Sequence, residues 1–179
     1  MKGSGYIKQS SFRFTCECDG TDALVLIDRS YLDSIDDNLL YALDILLDRH
    51  GETELAYDFP DEEWENVWAR ESKPAIDFCN SGRMAVFMHY KNEGACEISF
   101  SDVECNSGTV IDIKSGRLIL VSASELIQCL ACPDLEMETL LEIDAIRPGK
   151  YSIRFEGPGF IRLAKSPDIS ETNNVIELL

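Results

Sequence analysis

Thr109-Val-Ile-Asp-Ile113, Lys114-Ser-Gly116 and Arg117-Leu-Ile-Leu-Val121 stand close in the chain to Leu140-Leu-Glu-Ile-Asp-Ala-Ile146, Arg147-Pro-Gly-Lys150 and Tyr151-Ser-Ile-Arg-Phe155. The run 109–113 alternates and 117–121 is mostly apolar, as expected of strands covered on one or both faces. Gly116 supplies the positive φ that a three-residue hairpin loop needs. Pro148 presets φ for the first central position of a type II turn, and Gly149 takes the positive φ at the second. Tyr151, Ile153 and Phe155 then share one face, with Ser152 and Arg154 on the other. Both units are expected to be hairpins, which makes antiparallel sheet the expected core of the fold.

Outward from that stretch the pattern continues. Phe12, Phe14, Cys16 and Cys18 alternate with Arg13, Thr15 and Glu17, and Asp19-Gly20 leads into the apolar run 23–27, so an N-terminal hairpin is expected. Residues 35–49 carry Ile35, Leu39, Leu43, Leu46 and Leu47 at helical spacing, with Ser34 as the expected cap and Gly51 as the stop. A second helix is expected from Pro60 to Arg70, with Trp64, Val67 and Trp68 as its apolar stripe. The runs 75–79 and 83–90 read as another hairpin, 95–100 and 160–165 as strands, 124–131 as a short helix and 175–179 as an edge strand. The polar stretch 166–174 is the nearest thing to a linker. The expected fold is α+β: one domain over 1–179, a mainly antiparallel β-sheet or β-sandwich, with two helices inserted near residues 34–70.

A chain of 179 residues with 45% hydrophobic content builds one ordinary core, and no apolar run approaches a membrane span. No apolar stretch follows Lys2 and Lys8, so no secretory leader is expected. The expected setting is a reducing cytoplasm in which the seven cysteines, an odd number, are free thiols. A net charge of −17 argues against nucleic acid or an anionic membrane as partner.

That charge is unevenly spread. Residues 28–65 hold 13 acidic and two basic side chains, a net of −11 within 38 residues. On the first helix Asp37, Tyr41, Asp44 and Asp48 form a second stripe, and Asp44 and Asp48 repel across one turn where Lys would serve helix stability better. Tyr31, Tyr41 and Tyr57 are interleaved, and tyrosine supplies contact area at low entropic cost. Asp37, Tyr41, Asp44, Asp48, Glu62 and Glu65 are therefore the expected contacts to a basic protein partner.

No catalytic signature competes with this reading. Cys16/Cys18 and Cys129/Cys132 have the spacing of zinc half-sites, but small buried thiols explain the first pair, and no glycine knuckle accompanies the second. Only His50 and His89 are available as bases, without a nucleophile motif beside either. Gly157-Pro-Gly159 lacks the Lys-Ser/Thr of a phosphate loop. Neither metal nor cofactor is expected, nor an enzyme. Its rivals are a β-rich protein-binding adaptor or regulatory module and an unrecognised hydrolase, the last to be recognised by a deep cleft holding a histidine or paired carboxylates.

The order Gly108-Thr-Val-Ile-Asp-Ile-Lys-Ser-Gly-Arg-Leu-Ile-Leu, then Ile146-Arg-Pro-Gly-Lys-Tyr-Ser-Ile-Arg-Phe, resembles bacterial toxin-immunity and nuclease-inhibitor proteins of β-sandwich type, the competence-associated nuclease inhibitors most of all. The resemblance covers about a quarter of the chain; the acidic segment 28–70 has no counterpart in it, and no functional residue carries over. It implies a non-catalytic cytoplasmic protein that silences a toxin domain, with a nuclease, rich in Lys and Arg for phosphate, as the partner.

Overall fold

The computed structural model describes residues 11–51, 54–57, 59–101, 103–105, 107–157, 159–166 and 172–178; the side chains of residues 19, 54, 55, 61 and 62 lie outside that description. Within it ten strands form two five-stranded sheets. The outer sheet holds β1 (Ser11–Asp19), β4 (Lys91–Ser101), β9 (Phe160–Lys165), β8 (Gly149–Phe155) and β5 (Val110–Ile113), in that spatial order. The inner sheet holds β10 (Val175–Glu177), β3 (Met84–Met88), β2 (Leu24–Asp28), β6 (Leu118–Ser122) and β7 (Leu141–Ile143). Pairing is antiparallel except for β4 with β9 and β10 with β3. The class is α+β, as expected.

Burial explains the layering. Phe14, Cys16, Cys18, Ile98, Ile153 and Leu163 of the outer sheet meet Leu24, Leu26, Phe87, Leu118 and Leu120 of the inner one in a single core. The alternate residues Val25, Ile27, Met84, Val86, Ile119 and Val121 face the other way and pack under helices. Strands β2 and β3 are thus buried on both faces, which is why they read as unbroken apolar runs. Each fully buried Leu or Ile there contributes about 1.5–3 kcal/mol by leaving water.

Covering the inner sheet are α1 (Asp37–Leu47), α4 (Lys73–Asn80) and α5 (Ala123–Ala131). The short α2 (Glu54–Tyr57) and α3 (Asp61–Glu71) pack behind α1, through Ala56, Trp64, Val67 and Ile45. A 3-10 turn at Arg29–Ser34 uses up Ser34, so Asp36 caps α1 instead, its Oδ1 accepting from the Leu39 N–H at 2.9 Å. Residues 75–79 are helical, not a strand. Pro74 occupies the first turn of α4, where its fixed φ starts a helix and its missing N–H costs nothing.

Four expected hairpins do not form, and three of them are arches between sheets. β1 pairs with β4 while β2 pairs with β3 and β6; β5 pairs with β8 while β6 pairs with β2 and β7; β7 and β8 also part company. The fourth, 75–79 with 83–90, fails because its first half is α4. Turn residues reverse the chain without choosing the sheet that the next strand joins. At residues 114–117 the choice is made by Asp28, fully buried at the end of β2. Its carboxylate accepts from the Ser115 N–H and Oγ at 3.0 and 2.9 Å, and from the Ser30 N–H and Oγ at 3.0 and 2.5 Å. Gly116 has φ +78°, and a Cβ on it would lie 2.8 Å from the Ile146 carbonyl oxygen, so glycine is required twice over. The adjacent β8 and β9 do form a local antiparallel hairpin.

The stretch 166–174, of which 167–171 lie outside the described residues, ends in a tie rather than a free linker. Buried Asn174 donates to the carbonyls of Met84 and Val110 at 3.0 and 2.6 Å and accepts from the Val110 N–H at 3.0 Å, joining both sheets.

Candidate functional site

Helix α1 lies on the inner sheet between α5 on one flank and α3 and α4 on the other, leaving one ridge to solvent. Asp33, Asp36, Asp37, Tyr41 and Asp44 are exposed on or just before that ridge, with Tyr41 45% exposed. Among the described residues no basic side chain pairs with Asp33, Asp37 or Asp44. Elsewhere several bases are engaged by acids: Arg13 with Glu97, Arg70 with Glu71, Lys73 with Asp77, Arg117 with Glu142 and Asp144, Arg162 with Glu156.

On the α5 flank the ridge falls into a cleft of about 440 Å³. Asp44, Leu47 and Asp48 of α1 form one wall, Ser124, Ile127 and Gln128 of α5 the other, and Thr21–Ala23, Met88 and His89 the end. Asp22 fixes its geometry: its carboxylate accepts from the Ala23 N–H at 2.7 Å and from the N–H and Oγ of Ser124. His89 has φ +56°, unusual for a residue with a Cβ, and its Nδ1 lies 3.3 Å from the Gly20 carbonyl oxygen. The His89 Nε2 is buried with no hydrogen-bond partner, and the ring stacks on His50 with centroids 5.2 Å apart. The two histidines of the chain therefore meet, and His89 lines the cleft together with Asp22, Asp44 and Asp48. Burial, and then the charge of Asp48, raise the Asp44 pKa above the ordinary carboxylate value.

The expected contacts divide three ways. Asp37, Tyr41 and Asp44 share the ridge. Asp48 is only 5% exposed, the residue after α1, and forms cleft wall rather than a continuation of the exposed stripe. The helical bonding still reaches residue 48, whose N–H donates to the Asp44 carbonyl at 3.3 Å, so Asp48 stays beside Asp44 and it is the surrounding packing that covers it. Glu65 is exposed on α3, but Arg49 draws it away: Arg49 lies 3.5 Å from Glu65, 3.9 Å from Glu177 and 4.2 Å over the Trp68 ring. Glu62 belongs to α3, with its side chain outside the described residues. Tyr31 is core, its hydroxyl donating to Asp112 at 2.8 Å; Tyr57 is 75% exposed.

No family model, curated protein or solved structure matches this chain.

Asp22, His89, Ser124 and Gln128 were not among the expected site residues. They come from a turn, a strand end and a helix start far apart in sequence, and the rarity of histidine was the one available hint. The cysteine pairs stay apart. Cys16 and Cys18 lie in the core with Sγ atoms 2.9 Å from each other, and burial pushes the Cys16 thiol well above its ordinary pKa. Cys129, on α5, donates to Glu125 at 3.2 Å, while Cys132 is exposed. No group of metal-ligating side chains suited to a metal occurs among the described residues.

Proposed function

We propose that this chain is a non-catalytic inhibitor of the immunity type, which docks a basic toxin domain, with a nuclease as the favoured partner, on the α1 ridge and the adjoining cleft. The observation that carries the reading is the uncompensated acid of Asp33, Asp37 and Asp44 on one ridge, beside a cavity that adds Asp22 and Asp48. A cavity lined by Asp22, Asp44 and Asp48 together with Leu47, Met88 and Ile127 suits one lysine or arginine side chain, stem on the apolar residues and head on the acids. Such a cation would also offset the repulsion between Asp44 and Asp48, which adds to burial in raising the Asp44 pKa. Complementary charge speeds encounter, to about 10⁸ M⁻¹s⁻¹ or more at low salt, and makes association salt-dependent.

The test is capture of the partner from the native host, followed by titration against wild type and an Asp37→Lys, Asp44→Lys double variant. Asp48 is left intact because it is buried. A basic partner whose affinity falls at least about 100-fold in the variant, with a shallower salt dependence, supports the reading. Unchanged affinity and salt slope would remove it.

His89 and the paired carboxylates favour a second reading, a hydrolytic cleft. Against a serine relay, the Ser124 hydroxyl is held by Asp22 rather than by His89. Substrate turnover abolished by His89→Gln, with the fold intact, would establish the second reading over the first.

A further inference from the structure

The solvent face of the outer sheet carries a separate cavity of about 420 Å³ that the acidic ridge does not involve. Its floor is Ser152 and Arg154 of β8 with Arg162 and Ala164 of β9, and Ser101 and the segment Val103–Cys105 make its wall. That segment is anchored over β9 by the Cys105 N–H, which donates to the Lys165 carbonyl at 3.2 Å. Because Tyr151, Ile153, Ile161 and Leu163 turn into the core, Ser152, Arg154 and Arg162 face outward together.

Three features of this floor conflict with a merely structural role. Arg154 and Arg162 are directly opposed in the antiparallel ladder, and like charges at such positions repel. Glu156 neutralises Arg162 at 3.0 Å, but Arg154 has no acidic partner among the described residues, in a chain with twice as many acids as bases. Ser152 is 1% exposed, and its Oγ has no hydrogen-bond partner although it lines the cavity. A buried hydroxyl that bonds nothing is normally removed from a strand or satisfied.

All three are resolved by one oxyanion. Two guanidinium forks at adjacent cross-strand positions, with a hydroxyl one pleat away, supply donors from three directions. A planar carboxylate uses a single fork well, whereas a tetrahedral phosphate has oxygens for both forks and the hydroxyl. The volume also leaves room for a small organic remainder. We infer that this cavity binds the phosphate group of a small phosphorylated ligand, held by Arg154, Arg162 and Ser152. Glu104 on the wall is then placed against the organic part rather than the phosphate.

The test uses the full chain, with inorganic phosphate and ribose 5-phosphate as probes and succinate as the carboxylate control, read by calorimetry and by the labelling rate of Cys105. Saturable binding of both phosphates is expected, with ribose 5-phosphate the tighter and succinate weak, and labelling slowed at Cys105 but not at Cys132. Arg154→Gln is expected to weaken binding by about tenfold or more while leaving the free protein's melting temperature unchanged or slightly raised, because it also removes the repulsion from Arg162. Ser152→Ala is expected to weaken binding several-fold and to raise the melting temperature of the free protein. Succinate binding as tightly as the phosphates would overturn the phosphate assignment. Absence of saturation up to about 10 mM, an affinity too weak for a built site, would overturn the site itself. Binding unaffected by Arg154→Gln would place the anion elsewhere and overturn the assignment.

Discussion

The two outer layers of this molecule carry charge in opposite ways. The five strands of the outer sheet hold six basic and five acidic side chains, with Arg13 paired to Glu97 across two of them and Arg162 to Glu156 just past a third. The helical layer concentrates acid on one ridge and leaves it without cations, while its few bases, such as Arg49, are bound inside the layer. Both layers rest on the same inner sheet. Residues 28–65 carry a net of −11 out of the chain's −17, so the charge is concentrated in the segment that supplies α1 to α3 rather than spread evenly. A surface selected only for solubility would disperse such charge, since like charges on one helix face reduce its stability.

The comparison breaks first if the layers are not one cooperative unit. Leu46, fully buried between α1 and the inner sheet, is expected to cost about 3 kcal/mol when replaced by Ala. Both tryptophans lie in α3, so fluorescence reports the helical layer while far-ultraviolet dichroism reports the whole. In urea the two probes are expected to shift together in Leu46→Ala; separate transitions would show that the helices melt alone and that the ridge is an appendage.

A smaller effect tests how the sheets are joined. Asp28→Ala leaves the Ser115 and Ser30 donors without their acceptor and is expected to lose about 2 kcal/mol, measured in the same titration. The loss should come with faster amide exchange at residues 29–34 and 114–117, the 3-10 turn that Asp28 caps and the arch that it holds, and with no change in exchange along α1. If Asp28→Ala loosens the ridge instead, the arch is not what separates the two layers.

The smallest effect sharpens the electrostatic contrast. Asp44 has a raised carboxyl pKa in the folded state, so the ionised group opposes folding. Above that raised value the penalty is fully present; it fades as pH falls through it toward the ordinary carboxylate value, where both states are protonated. Asp44→Asn is therefore expected to stabilise by about 0.3 kcal/mol at neutral pH, the scale of an i,i+4 repulsion at an exposed site, and to gain nothing in acid. Thermal melts at pH 7 and pH 3 separate the cases. A gain that persists in acid would mean that charge is not its origin.

Much was legible before any coordinates. The alternation of Phe12 to Cys18, the helical stripe from Leu39 to Leu46 and the helix punctuation at Pro60 are local patterns, because side-chain period and turn chemistry act over a few residues. The ridge was legible too, since Asp37, Tyr41 and Asp44 sit one turn apart on a single helix. The cleft was not: Asp22, His89 and Ser124 have no sequence relation, and only the packing of α5 beside α1 brings them together.

The chain by itself determined most of the strands and helices, residues 75–79 excepted, and that the acid would ride on α1. Tertiary structure alone decided that neighbouring strands such as β5 and β6 belong to different sheets, that Asp48 turns into the cleft and that Arg154 opposes Arg162. The reason is physical. Conformational preference and hydrophobic period are properties of a few adjacent residues, whereas sheet membership and charge pairing depend on contacts between residues 87 positions apart, as Asp28 and Ser115 are.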